Sequence, residues 1–125
     1  MTLQLGTVQL GLMATVIIVI TCVANAVMAI ADLAGARFVL ANSAEVGVPR
    51  TWVPILGWLK GAGALGLLVG LLGYPPVGVA AAIGLTGFFV GAVGTHLRAR
   101  VFYNIAFPVG FLALAGLSLA AFALG

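Results

Sequence analysis

From Met1 to Ala31 no side chain carries a charge, and the apolar run from Val8 to Ala31 exceeds the roughly 20 residues that an α-helix needs to cross about 30 Å of hydrocarbon. A helix of that length with no polar face has to be solvated by lipid. The pattern recurs from Pro54 to Gly73, from Pro76 to His96 and from Val101 to Leu124, broken inside only by Lys60. A chain that is 64% hydrophobic and 6% charged cannot cover such a surface in water, where about 25% charge is usual. The expected architecture is therefore all-α: an integral membrane bundle of four helices, residues 1–125 forming one transmembrane domain.

Each break between the runs has its own chemistry. Asp32 to Val53 holds both acidic residues, Arg37, Arg50 and the polar stretch Asn42-Ser43-Ala44-Glu45, followed by the helix-stopping Gly47 and Pro49. Its apolar piece Phe38-Val39-Leu40 and a cap at Ser43 predict a short helix lying at the interface. Gly73-Tyr74-Pro75-Pro76 predicts a compact turn and a tight hairpin of the second and third spans. His96-Leu97-Arg98-Ala99-Arg100 makes the last break. Pro108 falls inside the fourth expected span, where its ring opposes the carbonyl of Asn104 and predicts a kink.

Four spans put both termini on one side of the membrane. Arg37, Arg50, Arg98 and Arg100 fall in the loops on the other side, so the positive-inside rule predicts cytoplasmic loops and external termini. Ala29-Ile30-Ala31 imitates a signal-peptidase site, but the segment before it lacks Lys and Arg and its apolar run is too long, which predicts a retained first helix. Trp52, Trp58, Phe102 and Tyr103 near the charged face and Tyr74 near the other suit interfacial anchors, while Phe88 and Phe89 suit packing or lipid contact.

Small residues four apart (Gly57 with Gly61, Ala62 with Gly66 and Gly70, Gly87 with Gly91, Gly116 with Ala120) predict smooth faces on which helices approach closely. The five basic residues are scattered, which argues against nucleic acid as a partner. Cys22 is alone, so it forms no intrachain disulfide and no cysteine metal site, and its expected role is packing. A single His leaves no pair of axial haem ligands within the chain, and the G-x-S-x-G, G-K-[ST] and H-E-x-x-H patterns are missing. No catalytic residue can be assigned.

The polar residues inside or beside the spans are therefore the candidate site. Lys60 lies six residues, about 9 Å, beyond Pro54, where it either snorkels to the charged face or pairs with a group at its own depth. Asn25 reaches that depth from the first span, and Asp32 and Glu45 are the only carboxylates available to it. His96, at the matching end of the third span, titrates near neutrality or caps its helix end. Together Asn25, Asp32, Glu45, Lys60 and His96 predict a polar pocket opening on the charged face. A quinone head, an anionic metabolite or a lipid headgroup would suit it.

Three stretches, Ser43-Ala44-Glu45-Val46-Gly47-Val48-Pro49, Leu56-Gly57-Trp58-Leu59-Lys60-Gly61-Ala62-Gly63-Ala64-Leu65 and Gly91-Ala92-Val93-Gly94-Thr95-His96-Leu97-Arg98, resemble the DoxX-like family of small four-span bacterial membrane proteins. The resemblance covers nearly the whole chain. It implies work near quinones, as an accessory or quinone-associated subunit of a membrane redox system in the bacterial inner membrane, with Glu45, Lys60 and His96 as the matching polar positions. An assembly partner or homo-oligomer without catalysis is the alternative. A small four-span exporter fits less well, because cation export needs a carboxylate within a span and here the intramembrane charge is a lysine.

Overall fold

A computed structural model describes residues 2–124, and side-chain environments from Gly11 to Leu124. Its elements are α1 (Thr2–Leu33), a short α2 (Arg37–Glu45), a single 3-10 turn (Arg50–Trp52), α3 (Val53–Leu71), α4 (Pro75–Ala99) and α5 (Ala106–Leu124). α1, α3, α4 and α5 are each long and apolar enough to cross a membrane. α1 packs on α3, α3 on α4, α4 on α5, and α5 closes the ring against α1. This is an up-down-up-down four-helix bundle, and α2 lies across its charged end as the sequence predicts.

The distribution of side chains is inverted relative to a water-soluble bundle. The inner face of α1 carries Ile18, Thr21, Asn25, Ala29 and Asp32, all buried and spaced three or four apart, while Leu12, Val16, Val23, Val27 and Ile30 point outward and are exposed. Large apolar groups on the outside and polar ones on the inside are stable only where the surroundings are hydrocarbon. The apolar part of the core is small, with Leu67, Ala82, Leu85, Phe89 and Ala115 at its centre.

Close approach of α3 to its neighbours depends on glycine. A Cβ on Gly57 would lie 2.8 Å from the Asp32 Cβ, one on Gly66 2.6 Å from the Ala81 Cβ, and one on Gly70 2.6 Å from the Gly78 Cα. The stripes at Gly57–Gly61 and Gly66–Gly70 are thus packing faces. A Cβ on Gly87, Gly91 or Gly116 would meet nothing within 4 Å among the described residues.

α1 to α4 all end in the same closure, in which two successive backbone N–H groups fold back on the last turn, as in Gly35 N to Asp32 O (3.1 Å) and Ala36 N to Ala31 O (3.0 Å). The residue at the bend needs a positive φ, which Gly35, Gly47 and Gly73 supply at no cost. At the end of α4 that residue is Arg100, at φ 56°.

Two local expectations are corrected. Residues 101–105 are not helical, and α5 begins only at Ala106. Pro108 therefore sits in the first turn, where its missing N–H has no helical partner to lose, so no kink is required. Ser43 does not cap the start of a helix either. It lies in the last turn of α2, and its hydroxyl donates to the Val48 carbonyl at 2.8 Å, holding the chain where it turns toward α3.

Candidate functional site

The ends of α1, α3 and α4 converge beneath α2 and the 101–105 loop around a cavity of about 750 Å³, a size within the usual range for small-molecule sites. Each polar group is held by a separate element. Asp32 occupies the last turn of α1 and Lys60 the second turn of α3, and the close approach at Gly57 brings the two helices near enough for Lys60 Nζ to meet Asp32 Oδ2 at 2.9 Å. Asp32 is almost fully buried, with its side chain 2% exposed, and Lys60 retains 12%. The ammonium also lies 5.4 Å from the centroid of Phe88, a cation–π contact. Lys60 thus combines the two behaviours open to it: it turns toward the charged face and finds its counter-ion there.

His96 is buried in the last turn of α4, with Nδ1 2.9 Å from the Ala92 carbonyl. A carbonyl only accepts, so the proton must reside on Nδ1, and in the neutral ring Nε2 presents a lone pair. His96 lines the cavity, and Nε2 has no partner among the described residues.

The outer wall is tied together by two side-chain bridges between α2 and the 101–105 loop. Tyr103 donates to Glu45 Oε1 at 2.6 Å, and Asn104 Nδ2 donates to Asn42 Oδ1 at 2.9 Å. The hydrogen bond to the Glu45 carboxylate pushes the Tyr103 phenol above its ordinary value, because removing the proton would set two anions side by side. Aromatic rings at Trp52, Phe88, Phe107 and Phe111 supply the apolar walls.

Of the five residues singled out in the sequence, Asp32, Glu45, Lys60 and His96 line this cavity and Asn25 does not. Asn25 belongs instead to a second polar cluster at mid-bundle, where its Nδ2 donates to the Thr21 carbonyl at 2.9 Å and Ser118 donates to Thr21 Oγ1 at 2.9 Å. The Asn25 Oδ1 has no partner. Ser118 and Thr21 were visible only as isolated hydroxyls in apolar helices, and nothing in the sequence links residues 97 positions apart. Asn42 and Tyr103 were likewise not read as site residues, since their pairing depends on the late start of α5. Among the described residues no group of His, Cys, Asp or Glu could hold a metal ion.

The arrangement sets the N–H donors of Lys60 and a ring nitrogen of His96 in one cavity with aromatic walls. A family model described as DoxX-like matches residues 11–118. No curated protein and no solved structure matches the chain.

Proposed function

The chain belongs to the DoxX-like family, a set of membrane proteins, and from that premise we propose that it is a quinone-associated accessory subunit of a membrane redox system, binding the quinone head in the cavity beneath α2. The observation that carries this reading is a partly paired lysine in an aromatic-walled cavity at the interface. A quinone head is a flat apolar ring with carbonyl oxygens at its edge. Lys60 has three N–H donors and spends one on Asp32, which leaves it able to donate to a ring oxygen. The rings of Phe88 and Phe111 offer flat apolar contact to the ring faces. When bound, such a ring supplies the two-electron chemistry, and the chain's own residues orient it and exclude water.

Redox partners would then be other subunits, which is why the role is accessory. In this reading the arginine-bearing loops face the cytoplasm, placing the cavity mouth on that side.

Trp52 lines the cavity and Trp58 does not, so a Trp58→Phe background leaves one tryptophan at the site. Short-chain ubiquinone should quench Trp52 saturably in detergent, and Lys60→Ala should weaken binding roughly tenfold or more, as expected for losing a charged hydrogen bond. Quenching that stays linear with concentration, or affinity that Lys60→Ala leaves unchanged, refutes the site.

A non-catalytic assembly partner is the second reading. It is favoured by α4, where Gly84, Gly87 and Gly94 meet nothing within 4 Å. Mild-detergent purification that yields only a monomer counts against it.

A further inference from the structure

We propose that the cavity discriminates between the two redox forms of its ring ligand and holds the hydroxyl-bearing, reduced form more tightly, with His96 as a discriminating residue. This rests on the reading of the cavity as a quinone-class site and deepens it by assigning the redox state. It follows from how the two polar groups of the site are already committed.

Lys60 treats both forms alike. Its free N–H donors meet an oxygen lone pair in either case, because a ring carbonyl and a ring hydroxyl both accept. Asp32 at 2.9 Å balances its charge, so Lys60 gives no advantage to an anionic head over a neutral one.

His96 does not treat them alike. Its Nδ1 proton is engaged by the Ala92 carbonyl at 2.9 Å, and this bond lies within α4, independent of any ligand. Nε2 in the neutral ring is therefore an acceptor. Facing a hydroxyl it receives a hydrogen bond. Facing a carbonyl it sets lone pair against lone pair and leaves two acceptors unsatisfied in a place that is 4% exposed. Polar sites reject analogues that leave their buried groups unpaired much more strongly than apolar sites reject a change of size. The other acceptors on the cavity wall, the Glu45 carboxylate, whose Oε1 receives the Tyr103 hydroxyl, and the buried, unpartnered Asn104 Oδ1, also favour a hydroxyl over a carbonyl and add to the distinction that His96 makes.

One unmade hydrogen bond to a neutral group corresponds to about tenfold in affinity. If the reduced form binds tenfold tighter, the bound two-electron couple lies about 30 mV above the free one. The site would then act as a holder of reduced ligand.

Isothermal titration of the detergent-solubilised full chain under anaerobic conditions tests this with one short-chain hydroquinone and its own oxidised quinone. The hydroquinone should bind about tenfold tighter. His96→Gln offers both a donor and an acceptor and should lower the ratio, whereas Lys60→Met should weaken both forms by similar factors and keep the ratio. Equal or tighter binding of the oxidised form by the wild-type chain overturns the inference while leaving the quinone-class reading standing. Binding of neither form overturns that reading and the inference with it. Should His96→Gln not fold, the wild-type ratio and its persistence in Lys60→Met decide the question.

Discussion

Replacing Asp32 by Asn keeps the shape of the α1–α3 contact and removes one charge of the Lys60 pair. At an effective dielectric of about 20, unit charges 2.9 Å apart attract by about 6 kcal/mol before desolvation is counted. What a variant loses is smaller, because desolvation offsets much of that attraction; removing one partner of a buried pair costs about 3 to 5 kcal/mol. Lys60 keeps 12% exposure and a flexible stem that lets it withdraw toward the interface. The expected loss is therefore near the lower bound, about 3 kcal/mol. Lys60→Met should cost a similar amount, since it strands the Asp32 carboxylate at 2% exposure. The double variant removes both charges and should lose no more than about 1 kcal/mol, giving a coupling energy of about 5 kcal/mol. Reversible unfolding in mixed micelles, followed by far-ultraviolet circular dichroism, measures all four proteins. Losses that simply add in the double variant would show that the two charges do not depend on each other and would refute the reasoning.

Arg100→Gly should stabilise the bundle by about 1 kcal/mol in the same assay, because it relieves a positive φ of 56° at the end of α4. Gly66→Val should destabilise by about 1 to 3 kcal/mol or more, since even a Cβ there meets Ala81 at 2.6 Å, while Gly87→Ala, facing open space, should change stability by less than about 0.5 kcal/mol. Asn25→Leu should be neutral or stabilising, because it removes a buried oxygen that has no partner, and a loss above about 2 kcal/mol would reveal an unrecognised ligand of that oxygen. Tyr103 should titrate above its ordinary value of 10.0, and Glu45→Gln should bring it down toward that value in an absorbance titration. The sign follows from the raised pKa: the Tyr103–Glu45 bond contributes stability below about pH 10 and loses it as pH rises through the shifted value.

The spans were legible because length and absence of charge are conditions that a bilayer imposes on any helix crossing it. The interfacial helix was legible for a related reason, as the apolar piece Phe38-Val39-Leu40 stands between Arg37 and the polar Asn42-Ser43 in a loop that could not cross. The start of α5 was not, because residues 101–105 carry no charge and Val101, Phe102 and Ile105 continue the apolar run, so that backbone geometry sets the boundary. Pro108 in fact marked that start, but a proline reads alike as a first-turn residue and as a kink until the helix boundary is known. At the site, the carboxylates open to Lys60 could be narrowed to Asp32 and Glu45, and the choice of Asp32 needed the close approach of α1 and α3 at Gly57. Asn25 was assigned to the wrong cluster: depth along α1 could be counted, but the register of α1 against α5, which sets Ser118 beside Thr21, depends on packing. The tautomer of His96 needed the 2.9 Å contact to Ala92 and could not be read from residue types at all.

The central claim is that the cavity beneath α2 holds the head of a quinone-class ligand, and photo-crosslinking followed by peptide mapping tests it most directly. A photoreactive short-chain quinone should label residues lining the cavity, such as Trp52, Phe88 or Phe111, with labelling suppressed by excess unlabelled quinone and reduced in Lys60→Ala. Labelling confined to lipid-facing residues such as Leu12, Val16 or Ile30, and insensitive to competitor, would contradict the account.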